Sequence, residues 1–258
     1  MKIAQEIYTK VERARHHLET LERDISAFCD RKGYSLTCEV DIGAGEKTFV
    51  FTAIEPIPDW WPVAIGDIAH NLRSALDNCI YEISVKHTGS VVGLSEFPIF
   101  NSPEHFHKSG RGGGLYKIRG VPAKTAKVIE AMQPFNTRKD GSESILSILH
   151  ELSNIDKHRT IHVCRMMPRD MRMEVVRDIT FNGSMDWCMP LGILEDRTIL
   201  ARWKPTILEE GMDMSADFTF DIVFQDTVVA RKSVIKTCDS LIKGVLRVFH
   251  YIEGSLSE

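Results

Sequence analysis

Two short stretches hold most of the residues able to do chemistry. The first, IGDIAHNLRSALDNCIYEI over 65–83, brings Asp67, His70, Asn71, Arg73, Ser74 and Asp77 into little more than three turns of predicted helix. The second, HELSNIDKHR over 150–159, carries His150, Glu151, Asn154, Asp156, His158 and Arg159. An imidazole titrates near neutrality, and a carboxylate beside it can hold its tautomer and raise its basicity. Carboxylates and imidazoles on facing helices are the groups used by bundle-core metal sites and by general acid–base sites. If the two helices are neighbours, His70, Arg73, Asp77 and His158 are the candidates for a catalytic part. Asp67, Asn71, Ser74, His150, Glu151, Asn154, Asp156 and Arg159 would then line a ligand site. The competing reading is an ordinary solvated helix face, on which histidines and acids fall by chance.

Other chemistries find less support. Neither stretch contains H-E-x-x-H or the E-x-x-H pairs of a di-iron bundle, so no metal and no cofactor is assigned. No G-x-S-x-G elbow occurs, and Ser74 stands only four residues from His70 as a weak nucleophile–base pair. GAGEKT at 43–48 lacks P-loop spacing and leads into a strand pattern, so it reads as a hairpin turn.

The elements that must position these residues are legible as periodicities. In 65–83 the apolar residues Ile65, Ile68, Leu72, Leu76, Ile80 and Ile83 recur at three and four, one helical face. Trp60, Trp61 and Pro62 precede it, with Asp59 as a cap. A long first helix over 2–31 shows the same stripe from Ile3 to Phe28, and a closing one has Val234, Cys238, Leu241, Val245, Phe249 and Ile252 inside, with Gly254 as its stop. Ser142 to Ile155 forms another amphipathic helix. Residues 34–54 alternate as a small hairpin, and the convincing strands otherwise fall in 160–228. Between them, 101–120 (NSPEHFHKSGRGGGLYKIRG) is rich in glycine and positive charge, Lys117 included, and reads as a mobile surface loop or as a lid or phosphate-contacting loop over a site. The pattern predicts an α+β fold in one domain over 1–258. A helical part (about 1–158 plus 229–254) joins an antiparallel sheet built mainly from 160–228.

Composition sets the limits. The 258 residues are 43% hydrophobic, enough for a sizeable core, and carry a formal net charge of −4, so no global field draws the chain to nucleic acid or an anionic membrane. The N-terminus lacks the apolar core of a signal peptide, and no apolar run approaches the ~20 residues of a membrane span. Six cysteines without a C-x-x-C pair fit a reduced interior, and a cytoplasmic protein with no membrane partner is expected.

HNLRSALDN at 70–78, FPIF at 97–100 and DKHR at 156–159 together resemble a family of uncharacterised bacterial proteins that share a GDxxHNLRSALD helix, an FPI element and a DKHR segment. More faintly, the 65–83 helix resembles that of HEPN-like domains, helical bundles found in toxins and anti-phage systems, many of them RNases. Active members place a histidine about a turn and a half after an arginine that polarises phosphate. Here Asn78 stands where that histidine would be, and His158 from the neighbouring helix would have to substitute. The resemblance implies a helical-bundle protein that binds RNA or a small ligand, with a homodimer bringing two copies of Arg73 into one groove. The alternatives from the residues themselves are a His/Asp acid–base hydrolase or lyase, metal-dependent or not, and a non-catalytic interaction protein using 160–228 as its partner surface.

Overall fold

A computed structural model describes residues 3–31, 34–53, 55–137, 143–158, 163–175, 183–188, 194, 196–205, 214–225 and 228–256. The order is α1 (Gln5–Asp30), β1 (Tyr34–Asp41), β2 (Glu46–Ala53), α2 (Trp60–Thr88), α3 (Pro103–His107), α4 (Gly114–Lys117), α5 (Ala123–Ala131) and α6 (Pro134–Thr137). Then come α7 (Ile145–His158), β3 (Val163–Val175), β4 (Gly183–Trp187), β5 (Thr198–Pro205), β6 (Met214–Phe224) and α8 (Val234–Leu256). The α+β class read from the sequence is what the chain adopts.

α2 is the axis of the helical part because its apolar stripe is wide enough to be covered from several sides. Ile65, Ile68, Leu72, Leu76, Ile80 and Ile83 are all buried, and α1, α7 and α8 pack around them. Trp61 is fully buried at the start of α2, where its Nε1 donates to Asp24 Oδ2 at 2.6 Å and its ring meets Phe28 edge-on at 5.4 Å. Burying a side chain such as Phe28 stabilises by about 2–3 kcal/mol. Asp59 does not cap α2 through its side chain; Trp61 N donates instead to Pro58 O at 3.1 Å. At the far end Gly89 takes φ 75 and closes the helix. α1 and α8 lie side by side, joined by Tyr8 against Phe249 and by Ile3 N donating to Glu253 Oε1 at 3.0 Å. Gly254 does not stop α8, which continues to Leu256.

The strands form two antiparallel sheets among the described residues. β1-β2-β5-β4 makes one and β3-β6 the other. The hairpin β1-β2 is therefore half of the four-stranded sheet, paired through Lys47↔Trp203 and Phe49↔Ala201 with a strand from the far end of the chain. Lys47 is buried there with its ammonium 5.8 Å from the Trp203 ring centroid. Phe51, Leu200, Ile222 and Phe224 carry the strands into the same apolar core as α1, α2 and α8.

The glycine-rich 101–120 stretch is folded rather than loose. It makes α3 and α4, with Phe106 fully buried between Phe100 (6.1 Å) and Phe135 (5.8 Å). Gly113 and Gly114 are there for close approach: a Cβ on the first would lie 1.7 Å from Lys108 O, and on the second 2.4 Å from the Phe106 ring. Among the described residues no helix is long and apolar enough to cross a membrane.

Candidate functional site

The two polar stretches do meet, and they meet antiparallel. At one end Asp156 of α7 lies so close to Gly66 of α2 that a Cβ there would sit 2.0 Å from its Oδ1. About two turns along, the Arg73 charge is felt by His150. This seam does not gather the sequence candidates into one array. It sorts them into three groups.

The first is a lock. Arg73 donates from Nε to Asp77 Oδ2 (3.2 Å) and from Nη2 to Asp77 Oδ1 (2.8 Å) and Phe97 O (2.7 Å). Phe97 N in turn donates to Asp77 Oδ1 at 2.9 Å. Phe97 is fully buried, and its backbone groups need partners that an extended segment beside a helix cannot supply by itself. The other side of this segment is held by Gln133, fully buried, whose Nε2 donates to Pro98 O (2.9 Å) and whose Oε1 accepts from Phe100 N (3.0 Å). Burial pushes the Asp77 carboxyl above the usual carboxylate range, against the opposing pull of the Arg73 guanidinium and the Phe97 amide. Arg73 Nη1 is buried with no hydrogen-bond partner among the described residues.

The second is a pocket of 420 Å³ lined by Asn101, Ser147, His150, Glu151, Asn154, Ile155 and His158. Ser147 Oγ donates to Asn101 Oδ1 at 2.8 Å, closing one wall. Asn154 Nδ2 lies 3.0 Å from His150 Nε2, so the amide donates into an unprotonated ring nitrogen. That tautomer is consistent with the electrostatics: burial, then Arg73, Lys117 and Lys157, hold the His150 imidazole down at about 4. Glu151 is engaged elsewhere, its Oε1 accepting from Val228 N at 3.1 Å. His158 is exposed at the outer end of the pocket.

The third group lies on the outer side of the seam. Burial first and Asp67 second raise the Asp156 carboxyl above its ordinary value, while His70 lowers it, so the three share one neighbourhood. Asn71 is spent on its own helix, Nδ2 donating to Asp67 O at 2.8 Å, and Ser74 is half-buried on the outward side of α2. Arg159 lies outside the described residues. Among the described residues no three His, Cys, Asp or Glu side chains are grouped so that they could hold a metal ion.

No protein-family model, curated protein or solved structure matches this chain. The chemistry of the site therefore has to be read from its own geometry. Sequence reasoning missed Asn101, Ser147 and Gln133, and placed Lys117 only in the basic 101–120 stretch without tying it to α7. Asn101 and Lys117 come from segments whose place beside α7 no local pattern reveals, whereas Ser147 lies on α7 itself, one turn before His150 and Glu151 and on their face of the helix. Gln133 had one available signal, a polar residue between the apolar Met132 and the Pro134-Phe135 pair, where burial demands hydrogen bonds.

Proposed function

We propose that the α7 pocket binds a small, polar, negatively charged ligand of nucleotide size, and that it does so by recognition rather than by catalysis. The observation that carries this reading is the pocket itself. Its walls are hydrogen-bonding groups, three of them (Asn154, His150 and Ser147) already oriented, and the charges that act on His150 are the cations Arg73, Lys117 and Lys157, the first two paired with Asp77 and Glu96. Its volume falls in the range of small-molecule sites, roughly 300–1,000 Å³.

Two observations weigh against chemistry here. A general base works best with a pKa near the operating pH, and an imidazole at about 4 is a poor one at neutrality. The HEPN-like alternative needs arginine and histidine on one phosphate. Arg73 is held by Asp77 and Phe97 beside His150, whereas His158 stands about 12 Å farther along the α7 axis. RNA remains chemically close, since a phosphodiester presents the same anionic oxygens.

Isothermal titration with a nucleoside monophosphate, and with a short single-stranded RNA, tests the reading. The mononucleotide should bind, and Asn154→Ala or His158→Ala should weaken it by about tenfold, ~1.4 kcal/mol. Binding of RNA alone would reassign the ligand. Absence of binding by both, or binding indifferent to Asn154 and His158, would remove the pocket as a ligand site.

A further inference from the structure

α2 is covered by α1 on one flank and α7 on the other, which leaves a single stripe of its surface uncovered along its whole length. That stripe is apolar at both ends and polar in the middle. Trp60 and Val63 occupy one end, 41% and 55% exposed, and Tyr81 the other at 51%, with half-buried Val85 beyond it. Asp67, Asn71, Ser74 and Asn78 lie between. At 100° per residue all of these fall on one side of the helix.

The order of residues along the stripe is nearly palindromic. Turned about a point between Asn71 and Ser74, Trp60 exchanges with Val85, Asp67 with Asn78, and Asn71 with Ser74, while Val63 falls beside Tyr81. A helix face with that symmetry is complementary to itself in the antiparallel sense, which is what an isologous two-fold contact requires. We infer that the uncovered stripe of α2 pairs with the same stripe of a second copy of this chain, antiparallel and centred on Asn71 and Ser74.

Two features of the surface fit this occupant. A groove of 570 Å³ lies between the start of α1 and the end of α2, with Ile7, Tyr81 and Val85 among its lining. In the two-fold register it faces the partner's exposed Trp60–Val63 end, so apolar surface meets apolar surface twice. Lys10 lines the same groove beside Asn78, the position that exchanges with Asp67. Lys10 of each chain therefore meets the Asp67 carboxylate of the other, giving two ion pairs related by the axis. The stripe from 60 to 85 covers about 38 Å of helix, long enough for a contact of standard size. Arg73 does not take part: it points to Asp77 and Phe97, so this pairing does not place two copies of Arg73 in one groove.

The inference is independent of the ligand reading. Sedimentation velocity of the full chain from low to high micromolar concentration tests it. The wild type should be a dimer, and Tyr81→Arg, a change at an exposed position, should give a folded monomer. Lys10→Asp and Asp67→Lys should each weaken the dimer by about tenfold, ~1.4 kcal/mol, and the two together should restore it, since each swap alone sets like charges against each other at two symmetric places. A wild type that stays monomeric throughout overturns the proposal. So does a dimer indifferent to Tyr81→Arg, or one that the charge swap fails to restore.

Discussion

Arg73 and His150 show how far a residue's type predicts its work. Both belong to the polar stretches that the spacing picked out, yet Arg73 anchors a buried backbone and His150 is too weakly basic for the acid–base role its type invites. The sequence names the groups on a face but not which segment will dock against that face. Here 97–100 reached Arg73 and Asp77 first, and Gln133 completed the hold. His150 makes a test possible. Its folded value lies at about 4 and that of an unfolded histidine near 6.5, so between these limits the unfolded chain binds more protons. Its contribution to stability is therefore fully present above pH ~6.5 and is lost as pH falls toward about 4. Chemical denaturation across this window should show wild-type stability dropping more steeply than that of His150→Gln. The ring protons of His150, followed by NMR, should titrate well below the ordinary histidine range. Equal slopes and an ordinary titration would mean that the imidazole is neither buried nor within the field of Arg73, Lys117 and Lys157.

The helices were legible because burial leaves a three-and-four spacing that survives in any one sequence, and α1, α2 and α8 carry it throughout. What holds two of them together was not. Gly66 looks like a weakness in a helix, costing ~1 kcal/mol relative to alanine, but it makes room for the Asp156 carboxylate against α2. The glycines of 101–120 misled in the same way, since they read as freedom and serve close approach around Phe106. A double-mutant cycle separates the two effects at Gly66. In the native background Gly66→Ala should bring little net stability, because the gain in helix propensity is offset by expelling the end of the Asp156 side chain. In an Asp156→Ala background the same change should stabilise by about 1 kcal/mol. Additive effects would mean that Asp156 does not pack on Gly66, and the antiparallel seam between α2 and α7 would lose its marker.

At the scale of the molecule, the strands were recognisable by alternation but their partners were not. The hairpin β1-β2 read as a satellite of the helical part, whereas β2 pairs with β5 some 150 residues away. Such pairing is set by tertiary packing, on which local pattern is silent. Its consequence concerns cooperativity. A two-stranded sheet such as β3-β6 is marginal alone and needs a helix or further strands against it. Ile222 and Phe224 supply that by entering the core that α1, α2 and α8 share, as Phe51 and Leu200 do for the larger sheet. Helical and β-rich parts therefore bury one another's apolar surface, and neither retains a complete core without the other. Scanning calorimetry should accordingly find one unfolding transition, with calorimetric and van't Hoff enthalpies equal once dissociation of any dimer is included. Truncating Phe224 to alanine should cost about 3–5 kcal/mol and lower that single transition as a whole. Two resolved transitions, with only the lower one moved by Phe224→Ala, would show instead that the strands fold as a unit of their own.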